Sequence, residues 1–143
     1  MKLGMMLGFE DSIEMITTIS REAEAAGIHS LYTVDAGRSA TITAAAVINA
    51  TERAKVGTYI VNAYAREPWM TGIEARDLNE ISDGRFILGV GTGNLHFNDY
   101  YMGLDSSKPL AKMRDFMQIV SAVVAGKAAE SVRYQGKTHR IRW

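Results

Sequence analysis

Residues 78–94 read LNEISDGRFILGVGTGN, and this stretch decides the fold. Leu78 and Ile81 belong to an apolar helical face, and Asp83-Gly84 closes that helix. The residues from Arg85 to Gly91 then form a nearly continuous apolar run, which is typical of a buried strand. A short segment of glycine and polar residues, Thr92 to Asn94, follows it. The stretch therefore predicts a helix, a strand of a parallel sheet and a polar segment at the carboxyl end of that strand.

The same alternation of strand and helix runs through the rest of the chain. Strands are predicted over residues 3–9, 30–35, 55–62 and 85–91, so they begin about 25 to 30 residues apart. Helices are predicted over residues 12–26, 39–50, 68–81 and 109–124, with a long loop over 92–108. On the first helix, Arg21, Glu22 and Glu24 predict a solvated face. The tail predicts a hairpin, because Ser131-Val132-Arg133-Tyr134 and Thr138-His139-Arg140-Ile141 flank Gln135-Gly136-Lys137.

Four successive strand–helix units predict an α/β protein whose parallel sheet is covered by helices. Two architectures are consistent with this pattern. The units form a small open sheet of the flavodoxin type, or they form half of an eightfold barrel. The spacing of the units does not decide between them.

Composition excludes several classes of function. Sixteen basic and sixteen acidic side chains give a net charge of zero, which provides no general attraction to nucleic acid or to anionic membrane. The chain has no cysteine, so it has no disulfide framework and no thiol nucleophile. No two histidines have metal-ligand spacing, and we expect no metal site. The first residues lead directly into a strand rather than a signal peptide, and we expect a cytoplasmic protein.

In parallel strand–helix proteins, ligands bind at the carboxyl ends of the strands. These ends carry Asp35, Asn62, Arg66 and Asn94. One interpretation is a site lined by these side chains, and the other is that the first residues of a loop are simply polar. Residues 89–94, GVGTGN, resemble a dinucleotide fingerprint only weakly, because the predicted loop separates them from the next helix. Their glycines instead allow a flat ligand to approach the backbone.

The strand ends in combination carry a family pattern. The stretches are Ala25 to Asp35, Lys55 to Pro68 and Leu78 to Asn94, with the tail Val132 to Lys137. With these stretches the sequence resembles the luciferase-like monooxygenase family, in particular the branch that uses the deazaflavin coenzyme F-420 and includes methylenetetrahydromethanopterin reductase. The resemblance covers essentially the whole chain. It implies a flavin- or deazaflavin-dependent oxidoreductase that transfers hydride between the cofactor ring and a small organic substrate.

The resemblance also implies site residues and a cofactor. Coenzyme F-420 is the expected cofactor and FMN is the alternative. The ring contacts it implies are Tyr59, Ile60, Asn62, Gly91, Thr92, Gly93 and Asn94. It further implies a cis peptide bond between Tyr59 and Ile60. Family members commonly have a histidine after the acidic residue that ends the second strand, but this chain has Asp35-Ala36, so Asp35 alone is the predicted catalytic residue.

The resemblance implies a TIM-barrel type of fold, and such barrels typically need about 250 residues. We therefore expect residues 1–143 to form the N-terminal half of a luciferase-like barrel, with four strand–helix units and a C-terminal hairpin. Such a half has open sheet edges, which favour pairing with another chain. The expected partners are a second copy of the chain or the missing C-terminal half, besides the small-molecule substrate. The alternatives are a flavin- or ligand-binding half-barrel module without catalysis, and a truncated, inactive fragment.

Overall fold

The computed structural model describes residues 1–126 and 133–142. The strands are β1 (Gly4–Met6), β2 (Ser30–Thr33), β3 (Lys55–Thr58), β4 (Val61–Asn62), β5 (Phe86–Ile87), β6 (Val90–Gly91), β7 (Arg133–Gln135) and β8 (Arg140–Arg142). The helices are α1 (Ile13–Ala25), α2 (Ala40–Ala50), α3 (Pro68–Ile81), α4 (Leu95–Tyr101) and α5 (Pro109–Val124). The chain divides into two compact units. The first comprises Met1–Val61 with Asp77–Val90, and the second comprises Asn62–Arg76 with Gly91–Trp143.

The first unit contains a parallel sheet with the strand order β1-β2-β3-β5. A flavodoxin-type sheet would instead place its first strand between the second and the third. The neighbouring strands here follow one another in sequence, as they do in an eightfold barrel. The structure therefore confirms parallel strand–helix units of the TIM-barrel type and removes the flavodoxin alternative.

The two faces of this sheet differ in burial. Leu31 and Val56 are register partners on one face, and they pack with Val47 and Ile48 of α2 in the core of the unit. On the other face Met6 is 56% exposed and Ile87 is 42% exposed. The sequence predicts runs that are apolar throughout, whereas in β1 and β5 only Met5 and Phe86 are half-buried and the other residues are exposed.

The boundaries of the four predicted helices lie within one residue of those in the structure. The Ser12 hydroxyl accepts a hydrogen bond from Met15 N (3.1 Å), so α1 begins at Ile13. Gly27 has a φ of +88°, as the end of that helix requires. Ser39 caps α2 in the same way, through Ile42 N.

The prediction that the charges of α1 form a solvated face is wrong for Glu24. Its carboxylate accepts hydrogen bonds from the backbone N–H groups of Arg53 and Ala54, both at 2.7 Å, and from that of Glu52. Burial by itself raises the pKa of Glu24, but these three hydrogen bonds reverse the effect and lower it. Glu24 therefore holds the turn before β3 against α1.

The third and fourth predicted strands are each interrupted. Thr58 Oγ1 donates to Gly89 O (2.8 Å) and accepts from Gly89 N (2.9 Å). A side chain thus replaces the regular ladder between the two strands, and β3 ends at Thr58. A methyl group on Gly89 would collide with the Thr58 carbonyl, which explains why this residue is glycine. The continuous strands predicted over 55–62 and 85–91 are therefore wrong, and β4 and β6 form a separate two-stranded sheet.

In the second unit α3 and α5 pack closely. A methyl group on Gly72 would come within 2.7 Å of Val123 Cβ, so the absence of a side chain at Gly72 allows the two helices this approach. Phe116, Ile119 and Val120 form the buried stripe of α5. The loop predicted over 92–108 is wrong in part, since α4 occupies its centre.

The predicted hairpin is confirmed by the antiparallel pairing of β7 with β8, in which Tyr134 faces Ile141. Its first predicted residues, Ser131 and Val132, lie outside the described residues. Among the described residues, no helix has the length and apolar character needed to cross a membrane.

Candidate functional site

Asp35, the predicted catalytic residue, lies in the first unit between β2 and α2. Its Oδ1 accepts a hydrogen bond from Ala40 N (2.8 Å), the first residue of α2. Its backbone N–H donates to Ile60 O (3.1 Å). The carboxylate thus stabilises a helix N-terminus, a position that favours negative charge. Its catalytic role stays a prediction.

Tyr59 and Ile60 follow β3 in the same unit, and the peptide bond between them is cis, as the resemblance implied. Tyr59 N donates to Thr33 O (2.6 Å), and the ring of Tyr59 is 66% exposed. The edge of this ring meets Tyr32, with the two centroids 6.4 Å apart. In the first unit, a backbone hydrogen bond therefore holds Asp35 beside Ile60. The exposed ring of Tyr59 belongs to the residue that precedes Ile60.

Asn62 lies at the start of the second unit, where its amide is buried in a polar network. Its Nδ2 donates to Asn98 Oδ1 (2.7 Å), and its Oδ1 accepts from Tyr64 N (3.0 Å). The fully buried Asn98 in turn donates to Thr92 O (2.8 Å). The sequence analysis missed Asn98. Asn98 stands one helical turn after Asn94, but this spacing has meaning only in a helix. The sequence predicts a loop over residues 92–108, so the spacing does not point to Asn98.

Gly91 to Asn94 form the exposed edge of this network. Ala63 N donates to Gly91 O (2.9 Å), which fixes the segment beside Asn62. Gly93 has a φ of +65°, and a methyl group there would come within 2.7 Å of Asn62 Nδ2. Gly93 and Asn94 are exposed. The second unit therefore brings together all five of its predicted ring contacts, from Asn62 to Asn94.

The segment from Gly91 to Asn94 leads directly into α4. The prediction that a long loop separates it from the next helix is therefore wrong. Asn94 is the N-cap of α4, and its Oδ1 accepts from Phe97 N (3.0 Å). The helix has only seven residues and its first turn carries no acidic residue. The segment still differs from a dinucleotide fingerprint because it follows the fourth predicted strand and not the first.

Arg66, the remaining strand-end candidate, pairs with Glu74 of α3 at 3.1 Å. The exposed His96 stacks on Tyr100 of α4 with centroids 5.6 Å apart. Within residues 1–126 and 133–142, no three His, Asp or Glu side chains group closely enough to hold a metal ion.

The profile of the luciferase-like monooxygenase family matches residues 1–142. The chain belongs to this family. It is 32% identical over 132 residues to a provisionally named coenzyme F-420-dependent oxidoreductase of Mycobacterium tuberculosis, covering 87% of this chain and 37% of the relative. It is 30% identical over 132 residues to 5,10-methylenetetrahydromethanopterin reductase of Archaeoglobus fulgidus, covering 92% of this chain and 35% of the relative. The chain therefore spans about a third of the length of these luciferase-like relatives.

Solved structures with the same fold include family enzymes of two kinds. The coenzyme F-420-dependent tetrahydromethanopterin reductase of Methanopyrus kandleri superposes with a TM-score of 0.82 at 24% identity, covering 98% of this chain and 44% of that one. A monooxygenase of Streptomyces bottropensis superposes with a TM-score of 0.79 at 22% identity, covering 99% of this chain and 47% of that one. At these identities the likeness shows the fold. The resemblance inferred from the strand ends is confirmed, and the chain is of an oxidoreductase family.

Proposed function

We propose that the chain acts in an F-420-dependent oxidoreductase that transfers hydride between the deazaflavin ring and a small organic substrate. One observation carries the choice of cofactor. The two curated relatives described above are 30% or more identical over most of the chain, and one carries F-420 in its name. FMN is the alternative cofactor.

The second unit fits the flat face of a flavin-type ring. At Gly91 and Gly93 no side chain stands between such a ring and the backbone, and Gly93 and Asn94 are exposed. The Asn62–Asn98 network beneath them fixes the shape of the segment. We propose that Gly91, Thr92, Gly93 and Asn94 contact the cofactor and that Asn62 orients them. Tyr59 and Ile60 stay predicted contacts in the first unit. When bound, the cofactor supplies the hydride chemistry.

A second candidate function is cofactor binding without catalysis. The chain has Ala36 where relatives commonly have a histidine, and the Asp35 carboxylate accepts a hydrogen bond from the first residue of α2. A carboxylate oxygen that already accepts a hydrogen bond from the backbone is less available as an acceptor for a substrate. This candidate has the same ring contacts as the first and differs only in turnover.

Titration of the full chain with F-420 and with FMN, followed by absorbance, tests cofactor binding. We expect saturable binding of F-420 and weaker binding of FMN. If neither cofactor binds, the proposed function is wrong for this chain.

Turnover by the wild-type chain separates the two candidates, and the variant Asp35→Asn tests the role of Asp35 in that turnover. Asparagine keeps a side-chain oxygen that can accept from Ala40 N, and Ser39 still caps α2, while the ionisable group is removed. If Asp35 moves a proton during turnover, the rate of F-420-linked reduction of methylenetetrahydromethanopterin falls by about 10²- to 10⁴-fold with binding of F-420 unchanged. An equal rate in both proteins contradicts a catalytic role for Asp35.

We also propose that turnover requires a partner, either a second copy of this chain or the missing C-terminal half of the barrel. The curated relatives are about three times as long, and among the described residues β1 and β5 each pair on one side only. A second copy, or the part of the barrel that the relatives carry beyond the matched region, would cover these edges.

A further inference from the structure

The second unit contains an open cavity of about 380 Å³ at the tip of the β7–β8 hairpin. Of the described residues that line it, three are lysines: Lys108, Lys112 and Lys137. Asp105 is the one acidic residue on its wall. The cavity therefore carries an excess of two positive charges in a protein whose overall charge is zero. Neither the predicted ring contacts nor the family comparison assigns a role to this cavity.

Lys112 is the best-positioned of the three cations. It is half-buried on α5, and its Nζ lies 5.7 Å from the centroid of the Tyr64 ring, which also lines the cavity. The same Nζ is 3.1 Å from His139 Nε2. Burial and the charge of Lys112 lower the pKa of His139, so the imidazole is neutral at pH 7 and its Nε2 accepts a hydrogen bond from the ammonium group. Two ammonium protons are left for other acceptors.

A chain of hydrogen bonds behind Lys112 fixes His139. With Nε2 as acceptor, Nδ1 carries the imidazole proton and donates to Thr138 Oγ1 (2.9 Å). Thr138 Oγ1 donates to Asp115 Oδ2 (2.8 Å), and the Tyr134 hydroxyl donates to Asp115 Oδ1 (2.7 Å). The direction of donation along this chain is thus set by Asp115. Lys112 is held at the cavity wall by a rigid support rather than free in solvent.

The Asp105 carboxylate is bound by Ser107 and also interacts electrostatically with Lys108. Hydrogen bonds from the side chain and backbone of Ser107 lower the pKa of Asp105, with Ser107 N 2.9 Å from Oδ1. The carboxylate is thus ionised and already bonded, and it cannot neutralise three cations. Burial lowers the pKa of Lys112, and the charges of Glu67 and Asp115 offset only part of this effect.

We propose that this cavity binds a phosphate-type oxyanion, either inorganic phosphate or the phosphate group of a small phosphorylated molecule. A dianion matches the net charge of the wall, and the fixed Lys112 ammonium forms a charge-assisted hydrogen bond with it, while the exposed Lys108 and Lys137 add positive charge. The volume falls in the range of small-molecule pockets, so it accommodates a phosphate with part of an attached group.

Calorimetric titration of the full chain with inorganic phosphate, at constant ionic strength with chloride as the matched anion, tests the proposal. We expect saturable binding of phosphate and none of chloride. Lys112→Gln should weaken binding about tenfold or more, since one charge-assisted hydrogen bond is lost. Lys2→Gln removes the same charge from an exposed residue of the first unit and should leave the affinity unchanged. Phosphate binding no stronger than that of chloride, or an unchanged affinity in Lys112→Gln, overturns the proposal.

Two further measurements allow for a variant that does not fold and identify the source of the phosphate. If Lys112→Gln does not fold, as judged by circular dichroism, Lys137→Gln on the exposed hairpin turn replaces it, with an expected loss of phosphate affinity of about twofold to fivefold.

Competition against FMN and riboflavin then identifies the source of the phosphate. If phosphate displaces FMN and not riboflavin, the occupant is the phosphate of a cofactor. If it binds without displacing either, the occupant is free phosphate or another phosphorylated molecule. Since phosphate binding needs no ring, it succeeds or fails independently of the proposed function.

Discussion

Gly93 and Gly103 allow the role of a single methyl group to be measured. Both lie in the second unit with φ near +65°, so alanine at either position has the same unfavourable backbone conformation. A methyl group on Gly103 has no atom within 4 Å, whereas one on Gly93 contacts the buried Asn62 amide. The comparison of the two alanine variants therefore isolates the contact with Asn62.

We predict that Gly93→Ala lowers the free energy of unfolding by about 1 to 3 kcal/mol more than Gly103→Ala does, because it displaces a buried, hydrogen-bonded amide. F-420 binding should weaken in Gly93→Ala alone. Urea unfolding and cofactor titration measure the two effects. Equal behaviour of the two variants would show that the Asn62 network does not support the proposed ring contacts.

Individual residues show how much of the candidate site can be predicted from the sequence alone. Asn62 and Gly93 were found from their places in the family pattern, and the structure brings them into contact. Asn98 could not be found, because a buried asparagine has no sequence signal until its helix is recognised. Asp35 was found, but its hydrogen bond to Ala40 N depends on the path of the chain between β2 and α2, which sequence patterning does not specify.

The helices were predictable where a start signal and an apolar stripe coincide, with Ser12 as the N-cap of α1 and Pro109 as the first residue of α5. The short helix α4 has a cap at Asn94 but no such stripe, since Phe97, Tyr100 and Tyr101 are exposed and Asn98 is its buried residue. The hydrophobic periodicity of residues 95–101 therefore does not predict a helix. The ends of β3 and β5 were also missed, because the Thr58 hydroxyl bonds to a residue 31 positions away.

Asp115 connects α5 to the hairpin and provides a prediction about pH. The side chain is 2% exposed. Burial would raise the pKa of Asp115, but hydrogen bonds from Tyr134, Thr138 and His139 outweigh it and lower the pKa to about 2. The ordinary value is 3.8, so the carboxylate stabilises the folded state above about pH 4. This contribution, about 2 kcal/mol, is lost as the pH falls from about 4 to about 2.

We expect Asp115→Asn to remove this pH dependence. Unfolding free energies measured by urea between pH 2 and pH 6 should fall more steeply at the acid end for the wild-type protein than for Asp115→Asn. Amide exchange at Thr138, whose N–H donates to Asp115 Oδ2 at 2.6 Å, should accelerate in the variant. Asp77→Asn, on an exposed part of α3, is the isosteric control and should keep the wild-type profile. A wild-type profile in Asp115→Asn would contradict the assignment.

At the scale of the whole molecule, the chain has the fold of the two solved enzymes over 44% and 47% of their lengths. In the first unit, one face of the parallel sheet is buried under helices and the other presents Met6 and Ile87 to solvent. Exposed apolar side chains beside strand edges favour association with another chain. The assignment of residues 1–143 to the N-terminal half of a barrel stays a prediction, and self-association is its most direct test.

We predict that the 15.7 kDa chain forms dimers or larger species in solution, measured by light scattering after size exclusion. Met6→Lys should shift the population toward monomer, because it places a charge on the exposed sheet face without disturbing the core. Met15→Lys changes a methionine of similar exposure, 51%, on the surface of α1 and should leave the assembly intact. A wild-type protein that remains monomeric at high concentration would contradict self-association, and equal dissociation by both variants would place the interface elsewhere than on the sheet face. A monomer that still binds F-420 would further show that the ring contacts proposed for the second unit need no second copy.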